Sequence, residues 1–172
     1  ALGILYPDPV GGGWALATRG SFESEQALAG TQMLQDSYVN YPFDPTLTYL
    51  FEIIHRTSRV VVQYPWEDLV LLATIDTAGG WQVPLEPPEA YPFPIVKRLT
   101  DPGDILDLAK HLAADGSEEG FVIRWEDDYR LKNKPEEYVR QHRIVTGTSN
   151  VTVWEYLRDG ADIAPLLEKV PD

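Results

Sequence analysis

Apolar residues first crowd together at positions 2–6, Leu-Gly-Ile-Leu-Tyr, and again at 14–18, with a Pro- and Gly-rich turn at 7–13 between them. This pattern predicts two strands joined as a β-hairpin, the glycines permitting a tight reversal. From 24 to 34 the period changes. Ala27, Leu28, Thr31 and Leu34 recur at helical spacing behind Ser24, a residue type suited to capping, so a helix is expected there. Positions 48–54 and 59–64 are rich in β-branched and aromatic residues, and 69–76 is a further apolar run. These predict consecutive strands of an antiparallel sheet.

Five prolines between 83 and 94 predict a loop or extended arm, placed over a site, since proline cannot donate to a sheet ladder. Asp101 is the expected cap of a helix at 102–114, with Leu106, Leu108, Ala109 and Leu112 as its apolar stripe. Positions 120–125 and 129–132 read as another strand pair, 135–145 as a helix, and 154–169 as a final helix interrupted at Gly160 and Pro165. Strands and helices mixed without strict βαβ alternation point to an α+β fold, antiparallel sheets flanked by helices. A chain of 172 residues fits one main domain, expected at 1–153, with 154–172 opening a C-terminal helical region.

Charge narrows the partners. Fourteen basic and 27 acidic side chains give a net charge of -13, which opposes unspecific adhesion to a phosphate backbone, so a nucleic-acid partner needs a local basic patch. The absence of cysteine excludes disulfides, thiolate-zinc sites and a cysteine nucleophile. No window approaches the roughly 20 apolar residues of a membrane helix, and no charged-then-apolar leader opens the chain, so a soluble cytoplasmic protein is expected. His55, His111 and His142 are not spaced as a metal set, and no glycine-rich phosphate loop follows a strand.

Four segments carry the candidate chemistry: Thr18-Arg19-Gly20-Ser21-Phe22, Phe51-Glu52 with Arg59 further on, Glu119-Gly120-Phe121-Val122-Ile123, and Lys132-Asn133-Lys134. Each ionisable residue stands at the edge of an apolar strand, and alternation would turn the polar groups to one face. Two carboxylates and two lysines suit a metal-nucleotide complex, because magnesium takes one or two carboxylates besides phosphate oxygens and lysines neutralise the triphosphate. Beside a glycine, the Arg19 fork can reach phosphate or ribose with little obstruction. Singly, each element has a plainer explanation: a Lys-x-Lys strand is usually a solvated face, a Glu-Gly a turn, and Phe51 and Phe121 core residues.

In their order the segments resemble the covalent nucleotidyltransferases, and among them the RNA ligases of the phage RNA ligase 1-like family. Leu2-Gly3-Ile4-Leu5-Tyr6 resembles the segment directly after that family's lysine motif, K-x-D-G-S-L, with Ala1 at the serine, so the nucleophilic lysine is expected four residues before Ala1. Arg19-Gly20-Ser21-Phe22 and the helix behind it resemble the basic-Gly-Ser segment. Phe51-Glu52 with Arg59, Val60, Val61 and Tyr64 resembles the third motif, Glu119-Gly120-Phe121-Val122 the fourth, and Leu131-Lys132-Asn133-Lys134 with Tyr138, Val139 and His142 the fifth.

The resemblance spans essentially the whole chain. It implies a three-step reaction in which a lysine attacks the α-phosphate of ATP, AMP passes to an RNA 5′-phosphate, and a 3′-hydroxyl displaces it. Carried over, Lys132 and Lys134 hold the phosphates and stabilise charge as pyrophosphate leaves. Glu119 helps to bind magnesium or manganese, Glu52 and Arg19 orient ribose and phosphates, and Tyr138 sits near the nucleotide. Without its lysine motif the chain as written is not expected to adenylylate itself. The alternatives are a non-catalytic nucleotide-binding module and a DNA ligase or capping nucleotidyltransferase.

Overall fold

The computed structural model describes residues 1–56, 65–99, 103, 107–108, 110, 120–134 and 150–163. Outside the described residues lie the strand expected at 59–64, the helix expected at 135–145, the stretch beyond 163, and the site candidates Glu119 and Tyr138. The helix expected at 102–114 is described only at Gly103, Asp107, Leu108 and Lys110, the last three being helical. Two compact units divide the chain, one within Ala1–Arg59 and Tyr64–Arg98, the other within Val60–Gln63 and Leu99–Asp172. The division falls inside the span 1–153 that the sequence suggests as one domain.

In the first unit the strands are β1 (Leu2–Pro7), β2 (Trp14–Ala17), β3 (Leu47–Ile54), β4 (Asp68–Asp76) and β5 (Gln82–Val83), ordered β2-β1-β3-β4-β5 and antiparallel throughout. Helix α1 (Glu25–Ser37) packs on one face. The second unit contains the ribbon β6 (Phe121–Arg124) and β7 (Arg130–Asn133), with helix α2 (Asn150–Arg158) further along. The architecture is α+β with antiparallel sheets, as the irregular mixture of periods implies. Among the described residues no helix is long and apolar enough to cross a membrane.

Each element follows from local chemistry. Ser24 caps α1, its hydroxyl accepting from the Ala27 amide at 3.2 Å. The buried stripe of the helix is Ala27, Gly30 and Leu34, whereas Leu28, expected on it, is 57% exposed. At 100° per residue Leu28 lies roughly a third of a turn from that line. Gly30 takes its place at the contact, where a Cβ would stand 2.9 Å from Ile53 Cδ1 and 3.0 Å from Leu16 Cδ1 and would oblige those side-chain ends to shift. The last helix begins at Asn150, upstream of the expected start, and stops at Arg158. Gly160, at φ 63, closes it: the Ala161 amide donates to Tyr156 O and the Gly160 amide to Leu157 O, the paired bonds of a glycine C-cap.

The core forms where β3 and β4 meet α1 and the proline-rich segment. Leu16, Phe51, Leu69 and Leu71 are wholly buried, and Leu5, Leu34, Ile53 and Phe93 nearly so. Rather than standing over a site, the segment 83–94 turns its aromatics inward. The Phe93 ring lies 5.1 Å from those of Phe51 and Tyr41, 5.4 Å from Tyr38 and 5.5 Å from Tyr91. It is pinned to β4 by backbone bonds, Leu71 N to Pro94 O and Val96 N to Leu71 O, both 2.8 Å. Pro94 needs no donor there, since only its carbonyl is used.

Two consequences can be measured. Phe93→Ala removes the ring around which the others gather and is expected to cost about 3–5 kcal/mol in chemical denaturation, with the denaturant midpoint falling accordingly. Burial raises the ionisation of the Tyr38, Tyr41 and Tyr49 phenols above the ordinary tyrosine value, Tyr38 further still because it donates to Asp68. A raised folded-state value means that these phenols ionise more readily in the unfolded chain. Stability is therefore expected to hold below a pH of about 10 and to fall as pH rises beyond it. In an ultraviolet titration these three should ionise only together with unfolding.

Candidate functional site

The register of the five-stranded sheet brings Arg19 and Glu52 to one end of it. Leu2 pairs with Glu52, and Ile4 pairs with Leu50 on one side and Ala17 on the other. The Thr18 and Ser21 backbones then exchange hydrogen bonds, 2.9 Å and 3.4 Å, closing a tight turn with Arg19 and Gly20 at its tip. Thr18 is also tied to the helix cap, its hydroxyl 3.0 Å from that of Ser24. Arg19 therefore leaves β2 where β1 begins and β3 ends. Two interstrand spacings, about 10 Å, separate β2 from β3.

Glu52 alternates away from the core residues Phe51 and Ile53, and its carboxylate is partly exposed. Ile53 N donates to Ala1 O at 2.7 Å. The β1–β3 ladder thus reaches Ala1, directly beside the carboxylate. Phe22, 65% exposed, meets Tyr6, towards the hairpin end of β1, edge to face at 5.0 Å. Phe51 is fully buried and serves the core, not base stacking. His55 lies 3.8 Å from Glu67, whose carboxylate also accepts from the Arg56 amide.

In the second unit β6 and β7 pair with Val122 opposite Lys132 and Phe121 opposite Asn133. Lys132 thereby shares a face with Val122, Arg124 and Arg130, and Lys134 follows one residue past the strand end. Gly120 makes this end possible. Its φ is 127°, and a Cβ there would lie 2.1 Å from Asn133 O, so backbone passes where a side chain would stand. Glu-Gly at this point is thus dictated in its glycine half by geometry. Among the described residues no group of three or more His, Cys, Asp or Glu side chains is placed to hold a metal ion.

Sequence reasoning names Arg19, Glu52, Lys132 and Lys134 as candidates and does not name the loop between β6 and β7, where Asp128 binds Arg124 and approaches Arg130. The Asp127-Asp128 pair, a turn-forming composition between two strands, was the available signal. Gly120→Ala should strain the backbone by about 1–3 kcal/mol and open the ribbon. Faster hydrogen exchange in β6 and β7, with the five-stranded sheet unchanged, is the expected readout.

Set against known proteins, the chain matches no family model, and no curated protein matches it.

Proposed function

We propose that this chain is the nucleotide-binding body of an ATP-dependent RNA ligase, a nucleotidyltransferase-type domain that joins RNA 5′-phosphate and 3′-hydroxyl ends through lysyl-AMP and RNA-adenylate intermediates. The observation that carries it is the register of the five-stranded sheet, which sets Arg19 and Glu52 to either side of the start of β1. A ligase of this kind needs its attacking lysine near the ribose-binding carboxylate. A lysine four residues ahead of Ala1 would enter beside Glu52.

In the proposed reaction Glu52 accepts from the ribose hydroxyls and Arg19 orients phosphate oxygens through its guanidinium fork. Lys132 and Lys134 would, as the resemblance implies, neutralise the charge that gathers on the leaving pyrophosphate. The resemblance would put Tyr138 near the nucleotide. A magnesium or manganese ion arriving with the triphosphate, with Glu119 as its protein carboxylate, would neutralise phosphate charge; such an ion takes only one or two carboxylates, so a dedicated cluster is not needed.

Intact mass spectrometry of the natural gene product, before and after incubation with ATP and magnesium, tests this. A gain of one adenylyl group is expected. Lys132→Ala and Glu119→Ala are each expected to reduce the rate of that gain at least about a hundredfold, the scale of losing one preorganised stabilising group. Full adenylyl transfer in both variants would sink the proposal, and no gain in the unaltered protein would leave a nucleotide-binding module in its place.

A further inference from the structure

The loop that closes β6 and β7 fixes which backbone groups of the ribbon face each other. The Trp125 amide donates to Tyr129 O at 2.9 Å and the Asp128 amide to Trp125 O at 3.1 Å, with Asp128 left-handed at φ 66°. Trp125 and Tyr129 are therefore a hydrogen-bonded pair, and by alternation so are Ile123 with Leu131 and Phe121 with Asn133. The amides and carbonyls of Val122 and Arg124 then point away from β7, along the outer edge of β6. Among the described residues nothing bonds to them. An open ladder edge is a template for another strand unless charge, proline or a covering element guards it. Arg124, the one charged side chain of β6, is already engaged, its Nε donating to Asp128 at 2.6 Å. Val122 beside it is an apolar residue 58% exposed.

Symmetry identifies the occupant. Two copies related by a two-fold axis present the same strand to each other antiparallel, and the pairing is then set by the residue on the axis. The axes that bring outward groups of β6 together lie at Val122, Ile123 and Arg124. With Ile123 on the axis, Val122 pairs with Arg124 of the second copy and Arg124 with its Val122, so every outward donor and acceptor of both strands is used. No charge then meets a like charge, and on the opposite face Phe121 lies against Trp125 of the second copy, in the closer, non-hydrogen-bonded kind of pair. With Arg124 on the axis, two guanidinium groups would stand opposed. With Val122 on the axis, the pairing would run into Gly120, whose φ of 127° departs from a strand.

We infer that β6 is a dimerisation edge, which joins two copies of this chain into a four-stranded sheet with Ile123 at the two-fold axis. The face that carries Trp125, Tyr129 and Leu131, all open to solvent in one copy, becomes continuous across the pair. A net charge of -13 on each copy opposes their approach, and two short strands bury little surface. The dimer is therefore weak, and added salt tightens it by screening the repulsion. None of this depends on the proposed reaction.

Analytical ultracentrifugation of the full chain, over a concentration series reaching about 1 mM, tests it and is expected to show a monomer–dimer equilibrium. Val122→Pro removes an outward donor from each copy and leaves the β7 ladder whole, since proline is tolerated where the N–H faces outward. It is expected to weaken the dimer at least about tenfold, whereas Val122→Thr, which keeps the donor, retains it. Because the chain has no cysteine, a single introduced one reports the register. Ile123→Cys, whose position meets itself at the axis, is expected to cross-link two copies under mild oxidation about tenfold faster than Arg124→Cys, whose own counterpart lies too far off to bridge. That comparison holds whatever the proline variant does to folding. A chain monomeric at about 1 mM, a dimer that Val122→Pro leaves unchanged, or faster cross-linking from Arg124→Cys overturns the inference.

Discussion

Strand β3 is hydrogen-bonded along both edges, to β1 and to β4, and its inward residues Phe51 and Ile53 are almost without solvent contact. Burial of these side chains fixes the register, because a shift by one residue would turn Phe51 outward and bring Glu52 into the core. The cost of an unpaired buried carboxylate makes that alternative far less stable. The register in turn sets Leu2 against Glu52 and so decides which carboxylate lies at the start of β1. Placement of the candidate site is a by-product of hydrophobic packing. The register shift between Leu50 and Phe51 skips Leu72 of β4, so that Thr74 beyond it lies on the same buried side as Leu69 and Leu71 before it.

The second unit owes its candidate chemistry to backbone geometry more than to burial. Its ribbon is exposed on both faces, with Val122, Tyr129 and Leu131 all open to solvent. What determines its shape is a glycine at one end, where strand meets strand too closely for a Cβ, and a left-handed aspartate at the other. Between these two points the lysine and the arginines are carried at alternate positions of a regular ladder.

Much of this was legible in the sequence where one physical effect dominated. The hairpin of β1 and β2, the Ser24 cap, the β3 and β4 runs and the β6–β7 pair arise from periodicity and turn chemistry acting in the same direction. Leu28 misled because apolar character was counted before angle, and Gly30 was passed over because a glycine inside a helix reads as a weakness until its neighbour is known. The proline segment was recognised as irregular, but nothing local reveals that Phe93 faces inward, since that depends on rings far away in the chain such as Phe51. For the site, residue types and order were readable, and the sharing of one sheet end by Arg19 and Glu52 required the register.

Both flanks of the five-stranded sheet have outward backbone groups engaged. On β2, the Leu16 amide donates to Thr31 Oγ1 and the Thr31 hydroxyl donates to Leu16 O, so a helix side chain stands in for a neighbouring strand. On β4, the short β5 and then Pro94 and Val96 take up the outward groups. A sheet closed in this manner presents little free ladder for a stranger to extend, which guards against edge-to-edge aggregation during folding and storage. Where Leu16 and Leu71 are engaged in this way, a partner meets side chains and loops in place of a free ladder.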